Sequence, residues 1–196
     1  MKFTKYGTRE LVLFGFLIPG IGIGGAAVLA MLVHQMLWFV GFPFFILFVF
    51  ILNFFRDPNR PLPGDEFTVV SPADGKVTDV GERDDEEYFK GTVQSVGIFL
   101  SVFDVHVNRS PLEGTVDYLR HQDGLYKDAR DPEASTLNEA QNIGFKSKLG
   151  PRFLIRQITG LIARRIVCPL QVGDSVERGE RFGMLKFGSR TELWFD

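Results

Sequence analysis

The feature that most constrains this 196-residue chain is a long uncharged stretch near its N-terminus. No Asp, Glu, Lys or Arg occurs from Leu11 to Phe55, a run of 45 residues. As a helix this run would measure about 67 Å, roughly twice the length that crosses the hydrocarbon core of a bilayer once. We therefore predict a membrane anchor at residues 1–55, built from two apolar helices at about 11–32 and 36–55 that are joined by a short turn.

Basic residues at the two ends of this hairpin predict its orientation. Lys2, Lys5 and Arg9 precede the first span, Arg56 and Arg60 follow the second, and the turn has neither lysine nor arginine. Because cytoplasmic flanks of membrane helices are enriched in Lys and Arg, both ends are predicted to be cytoplasmic. A cleaved signal peptide is the alternative for the first span, but a second apolar span follows it directly. The sequence thus predicts a protein of the cytoplasmic membrane whose larger part faces the cytoplasm.

Residues 56–196 have the patterning of a β domain outside the membrane. Short runs rich in Val, Ile and Phe are separated by turn sequences such as SPADG at 71–75, and no long amphipathic helix is evident. We predict a mainly β (α+β) fold with a compact barrel-like or sandwich-like catalytic domain. The net charge of −2 gives no reason to expect a nucleic acid partner, and a single cysteine excludes an intramolecular disulfide.

The domain contains few candidate catalytic groups. Its two histidines, His106 and His121, do not have the spacing of a zinc protease, and no metal site is predicted. Walker, dinucleotide-binding and G-x-S-x-G motifs are absent from residues 56–196 as well. The segment FDVHVNR predicts a strand that carries Asp104, His106 and Asn108 on one face and Arg109 on the other.

One motif suggests a function without catalysis. The sequence VGDSVERG at 172–179 has the V-G-D-x-V-x-x-G turn of biotinyl and lipoyl carrier domains. A carrier would need an exposed lysine on a hairpin tip between methionines, whereas Lys186 stands between Leu185 and Phe187. A membrane-tethered carrier-like β-barrel is therefore an alternative, and shared barrel geometry is the simpler explanation of the motif.

Six motifs occur in a fixed order along the chain and resemble one enzyme family. They are FFRDPNR, VVSPADGKV, FLSVFDVHVNRSPLEG, PEASTLNE, QITGLIARRIV and GDSVERGERFGMLKFGSR. Together they span about Asn53 to Arg190 and are similar to phosphatidylserine decarboxylases in their short, membrane-anchored form. The apolar N-terminal hairpin suits the same group. An archaetidylserine decarboxylase, which acts on an ether-linked archaeal serine lipid, would share these motifs and is the alternative within this class.

The resemblance implies a proenzyme that cleaves itself at the Gly188–Ser189 bond. Ser189 Oγ would attack the carbonyl of Gly188, and elimination would leave a pyruvoyl group at the start of a short α chain, separate from the preceding β chain. This group, derived covalently from Ser189, is the only cofactor implied, and neither pyridoxal phosphate nor a metal is expected. A serine hydroxyl needs a base, for which His106 is the candidate, with Asp74 or Asp104 as the acid that orients it.

The resemblance also implies phosphatidylserine as the substrate and contact with membrane lipid. Arg56, Arg60 and Arg109 are the candidate substrate-binding residues. Longer family members have a second histidine at the position of Arg109, so His106 would act in both self-cleavage and decarboxylation. Family analogy suggests a homodimer. A serine hydrolase that uses Ser189 for turnover is a further alternative.

Overall fold

A computed structural model of the chain describes residues 2–65, 67–162 and 165–196. The chain divides into two compact units, Met1–Pro58 and Asn59–Asp196. The first is helical and the second is built mainly from antiparallel β-strands. The predicted fold class, a β-rich domain preceded by two apolar helices, is confirmed.

The first unit is a pair of apolar helices, α1 (Lys5–Leu32) and α2 (Gln35–Phe54). Both are long and apolar enough to cross a membrane, judged by length and composition alone. The turn between them is stabilised by His34, whose Nδ1 accepts a hydrogen bond from Met36 N at 3.2 Å. Glycine allows close packing of the helices, because a Cβ added to Gly22 would lie 2.3 Å from Cγ of Phe44.

The described residues of the second unit form ten strands and one short helix, α3 (Ala134–Leu137). The strands are β1 (Lys76–Asp85), β2 (Gly91–Leu100), β3 (Val107–Arg109), β4 (Gly114–Gln122), β5 (Ala140–Ser147), β6 (Arg152–Ile158), β7 (Arg165–Val167), β8 (Ser175–Val176), β9 (Arg181–Lys186) and β10 (Ser189–Phe195). They form a seven-stranded sheet in the order β1-β2-β10-β6-β5-β4-β8 and a three-stranded sheet in the order β3-β9-β7.

The main core lies where the two sheets face each other. Phe145 of β5 and Phe153 of β6 stack with their ring centroids 4.7 Å apart, and Phe182 of β9 meets Phe145 edge-on at 6.0 Å. All three are buried in one cluster with aliphatic side chains of the larger sheet, and Phe182 is the member that comes from the smaller sheet. The core therefore fixes the smaller sheet, which carries the FDVHVNR segment, against the larger one.

Strand β10 lies inside the larger sheet and carries a buried charge network. It pairs antiparallel with β2 on one side and with β6 on the other. Buried Glu192 accepts hydrogen bonds from Arg156 Nη1 at 3.2 Å, Arg190 Nε at 2.6 Å and Trp194 Nε1 at 3.0 Å. Arg190 also donates to Asp79 at 2.6 Å. These contacts, with the two hydrogen-bonded ladders, fix β10 in place.

We expect Glu192→Gln to destabilise the β domain by about 3 kcal/mol, because it leaves two buried guanidinium groups without the carboxylate between them. The comparison is made in a Ser189→Ala background, so that any chain cleavage does not confound unfolding. Urea unfolding of the full chain in detergent, followed by circular dichroism, measures the loss. Glu82→Gln on exposed strand β1 is the matched control and should change little. If Glu192→Gln and Glu82→Gln lowered the free energy of unfolding equally, the buried charge network would have no special stabilising role.

The same variant should change how stability depends on pH. Burial alone would raise the pKa of Glu192, but Arg156 and Arg190 outweigh it and hold the pKa below its usual value. A lowered pKa in the folded state stabilises the fold above the unfolded pKa of about 4.3, and this contribution is lost as the pH falls further. The stability difference between the parent chain and Glu192→Gln should therefore narrow below about pH 4.

Candidate active site

The connection between β9 and β10 holds the Gly-Ser pair. Lys186 ends β9 and Ser189 begins β10, so only Phe187 and Gly188 lie between this strand of the smaller sheet and this strand of the larger one. Both linking residues have a φ of 75°. Glycine adopts this left-handed conformation readily, whereas a bulky residue there costs about 1–3 kcal/mol. Backbone strain is thus concentrated directly before Ser189.

His106 is buried beside this connection and is held in one tautomer. Its Nδ1 lies 3.0 Å from the carbonyl oxygen of Asp104, which can only accept a hydrogen bond, so Nδ1 carries the proton when the ring is neutral. Nε2 then has a free lone pair and accepts a hydrogen bond from Gly188 N at 3.1 Å. The imidazole therefore presents its basic nitrogen to the residue that precedes Ser189.

The hydroxyl of Ser189 is buried in surroundings that are unusual for a polar group. The residue has no exposed surface, and its Oγ has no hydrogen-bond partner among the described residues. Such an atom costs about 1–3 kcal/mol to bury and calls for an explanation in terms of strain or chemistry. A hydrolase that turns over external substrates would need this oxygen to be accessible, so its burial disfavours that alternative.

Gly160 packs against the carbonyl group of Gly188. A Cβ added to Gly160 would lie 2.6 Å from Gly188 O, closer than real Cβ atoms approach, and 3.2 Å from Ala129 Cβ, which is tighter than most real contacts. The glycine at this position therefore lets the segment after β6 approach the carbonyl of the Gly188–Ser189 bond. Sequence analysis did not single out Gly160, and its only signal was a glycine directly after a strand-like run.

A cavity of about 240 Å³ opens beside Gly188. Its walls are mostly apolar, with one ion pair between Asp128 and Arg130 at 2.6 Å. The other lining residues come from the end of β2 and the β2–β3 connection, the segment between β4 and α3, the segment after β6 and the β9–β10 connection: Phe99, Ser101, Val102, Ala129, Leu161, Ile162, Phe187 and Gly188. A small polar group could reach Gly188 through this cavity while an attached chain stays among apolar side chains.

The predicted acids occupy two different surroundings. The Asp104 carboxylate accepts a hydrogen bond from Ser101 N at 2.8 Å, so it is the backbone carbonyl of this residue that meets His106. The Asp74 carboxylate forms an ion pair with Arg60 at 3.0 Å. Neither of these contacts shows which acid orients the histidine, and that assignment stays a prediction.

Two of the predicted substrate-binding arginines line a different cavity from the one beside Gly188. Arg60 and Arg109 line a second cavity of about 320 Å³, together with Asp74. Arg109 is the last residue of β3, whereas His106 directly precedes this strand. Arg56 belongs to the helical unit and donates to Asn53 O at 2.6 Å. The structure thus groups Asp74 with two of the arginines, and groups His106 with the Gly-Ser pair.

A buried amide network joins the strand of His106 to the strand of Ser189. Asn108 Nδ2 donates to Thr191 Oγ1 at 2.9 Å, and Gln157 Nε2 donates to Asn108 Oδ1 at 2.8 Å. All three side chains are fully buried. Asn108 lies two residues after His106, and Thr191 lies two residues after Ser189. The network therefore fixes how these two segments are aligned at the site. Only Asn108 was singled out from the sequence, since the other partners come from distant segments.

Two remaining candidates lie elsewhere. Lys186 is 4% exposed at the end of β9, which does not match the exposed hairpin lysine of a carrier domain. His121 lies on β4, with its Nε2 3.5 Å from carboxylate oxygens of Asp123 and Glu139. Within the described ranges, no three His, Cys, Asp or Glu side chains are close enough to hold a metal ion.

Comparison with known proteins agrees with the motifs around this site. Residues 47–196 match the family described as phosphatidylserine decarboxylase. The phosphatidylserine decarboxylase proenzyme of Carboxydothermus hydrogenoformans is 44% identical over 174 residues, which cover 89% of this chain and 80% of that protein. The proenzyme of Symbiobacterium thermophilum is 45% identical over 168 residues, covering 86% and 77%. That of Solidesulfovibrio magneticus is 48% identical over 147 residues, covering 74% and 68%. The chain belongs to the phosphatidylserine decarboxylase family, whose members are carboxy-lyases.

Proposed function

We propose that this chain is a proenzyme that cleaves itself between Gly188 and Ser189 and then decarboxylates phosphatidylserine to phosphatidylethanolamine. The observation that carries the proposal is the state of Ser189. Its hydroxyl is buried without a hydrogen-bond partner among the described residues, next to a glycine whose N–H is bonded to the basic nitrogen of His106. The family and the names of its relatives supply the substrate class.

Cleavage begins with an acyl shift that needs only groups already at the site. Ser189 Oγ attacks the carbonyl carbon of Gly188, the hydroxyl proton passes to a base, and the C–N bond breaks as the amine takes up a proton. The peptide becomes an ester. Two features support this step: Gly188 has no side chain to obstruct the attack, and the strained Phe187–Gly188 segment gains freedom when the bond breaks.

His106 is the base that we assign to this step. The tautomer set by the Asp104 carbonyl leaves Nε2 able to take a proton. In the uncleaved chain Nε2 is engaged by Gly188 N–H, so this bond must give way to one from Ser189 Oγ before the attack. Catalytic hydrogen bonds often form only when the reacting geometry is reached. Asp74 and Asp104 remain the proposed acids that assist the imidazolium.

The second step removes the α-proton of Ser189 and expels the Gly188 carboxylate. The dehydroalanine that remains tautomerises to an imine, and one water hydrolyses it to a ketone with loss of one ammonia. The β chain then ends at Gly188, and the α chain begins with a pyruvoyl group at position 189. The segment fits such a group, because position 189 is buried at the start of β10 directly after a cavity-lining residue.

When formed, the pyruvoyl group supplies the electron sink that decarboxylation of an amino acid headgroup requires. The residues around it bind, orient and move protons. The cavity beside Gly188 has mostly apolar walls, and His106 lies where a proton could be returned to the product. The roles predicted for Arg60 and Arg109 at the lipid phosphate would require the headgroup to reach the second cavity.

Strand β10 supports retention of the fragment that begins at residue 189 after cleavage. The strand pairs with neighbours on both sides and holds Glu192 between two arginines. We therefore propose that the pyruvoyl-bearing fragment remains bound without a covalent link. Basic residues at both ends of the apolar hairpin support a cytoplasmic location of the domain, and a homodimer stays a prediction from family analogy.

The activity is tested with phosphatidylserine labelled in the carboxyl group of its serine. We expect the purified full chain to release labelled carbon dioxide, and Ser189→Ala to release none above background. An ether-linked serine lipid in a parallel assay distinguishes the archaetidylserine alternative. Equal turnover by Ser189→Ala and the parent chain would contradict the proposal.

A further inference from the structure

Exposed apolar side chains line or flank the cavity beside Gly188. Leu161 and Ile162 follow β6, line the cavity, and are 61% and 65% exposed. Val102 also lines the cavity, and the next residue, Phe103, is 67% exposed. We call Phe103, Leu161 and Ile162 the apolar rim. Three large exposed apolar side chains in or directly next to the lining of one cavity are more than the scattered exposure that monomeric proteins usually show.

We propose that the apolar rim inserts into the lipid surface of a membrane, so that a serine lipid passes from the bilayer into the cavity without exposing its acyl chains to water. This inference rests on the proposed function and deepens it by assigning the surface through which the substrate enters. It names the bilayer as the partner and the rim as the part of the domain that contacts it.

Two features of the chain favour a lipid surface over a protein partner. The β domain is tethered to two helices that are long and apolar enough to span a membrane, so a bilayer would lie within reach of it. The cavity combines the apolar rim with a charged pair, Asp128 and Arg130, on its wall. A lipid likewise has a charged part and an apolar part. Its headgroup would meet the ion pair while its acyl chains contact the rim.

The loops that carry the rim also belong to the reacting site. Phe103 lies in the turn closed by the hydrogen bond from Ser101 N to the Asp104 carboxylate, and the carbonyl of Asp104 holds His106. Leu161 directly follows Gly160, which packs against Gly188 O. Contact of the rim with lipid would therefore occur within a few residues of both the base and the bond that it acts on.

Photocrosslinking tests the rim without requiring any turnover. The full chain is reconstituted into vesicles of phosphatidylcholine with a minority of phosphatidylserine, with p-benzoylphenylalanine at position 103 or 161. Position 172 is the control, because Val172 is 63% exposed on a different loop. We expect lipid adducts, detected by intact mass, at 103 and 161 but not at 172. Adduct yields at 103 and 161 no higher than at 172, or crosslinks to protein in place of lipid, would overturn the proposal.

A second measurement separates failure of the rim from failure of the enzyme. In the double variant Leu161→Ser/Ile162→Ser, the ratio of turnover on vesicle lipid to turnover on monomeric short-chain phosphatidylserine should fall about tenfold, since two large side chains lose their apolar burial. An unchanged ratio in an active enzyme would overturn the proposal that the rim contacts the membrane, and it would leave the proposed function intact. Lipid adducts at 103 and 161 in a chain that lacks decarboxylase activity would support contact between the rim and lipid and would contradict the proposed function.

Discussion

Replacement of His106 by glutamine is expected to slow self-cleavage by about 10²–10⁴-fold, the usual contribution of a positioned general base. Glutamine keeps a polar side chain that can accept the hydrogen bond from Gly188 N, but it cannot take the proton of Ser189 Oγ. The buried position should therefore remain filled while the chemistry is lost. The measurement is the rate at which freshly synthesised full chain divides at position 188, followed by mass spectrometry.

His121→Gln is the matched control for this prediction. His121 is half-exposed on β4, where its neighbours are the carboxylates of Asp123 and Glu139. We expect this variant to cleave at the parental rate. If His106→Gln also matured at that rate, the imidazole would have no part in cleavage, whatever its distance from Gly188.

Gly160→Ala is expected to slow self-cleavage by about 100-fold, because a misplacement of up to 1 Å at a reacting group has an effect of this size. The added methyl group would lie 2.6 Å from Gly188 O, so either that carbonyl or the segment after β6 must shift. Since the carbonyl carbon is the atom that Ser189 attacks, a shift changes the distance and angle of the attack. The same time course by mass spectrometry measures it.

Gly81→Ala controls for the general effect of adding a methyl group to a β domain. Nothing lies within 4 Å of a Cβ added at Gly81, so cleavage should proceed normally. Thermal unfolding of Gly160→Ala in the Ser189→Ala background checks that the fold is kept. A folded Gly160→Ala chain that cleaves as fast as the parent would show that the close approach has no influence on the reaction.

Local patterns were sufficient to predict the architecture of both units. The uncharged run predicted two apolar helices, and the β-branched runs separated by turn sequences predicted the antiparallel domain. The segment FDVHVNR predicted a strand that begins before His106, whereas β3 covers only Val107–Arg109 and a turn closed by the hydrogen bond from Asp104 N to Ser101 O precedes it. Each of these inferences depends on contacts between residues that are close in the chain.

Long-range packing determined what the sequence could not predict. Gly160 matters because the segment after β6 meets the β9–β10 connection, and no local pattern reports that approach. Gln157 and Thr191 are ordinary strand residues until the two sheets bring them to Asn108. The choice between Asp74 and Asp104 as the acid that orients His106 stays a prediction, and the contact described for the Asp74 carboxylate is with Arg60.

The intact mass of the purified full chain tests the central claim most directly. If Ser189 is converted to a pyruvoyl group, the parent chain should divide into residues 1–188 and an eight-residue fragment with a blocked N-terminus. Together the two masses should equal the precursor plus one water minus one ammonia. Ser189→Ala should remain a single chain of unchanged mass. A parent chain that stays whole, with an unmodified serine at position 189, would contradict the account.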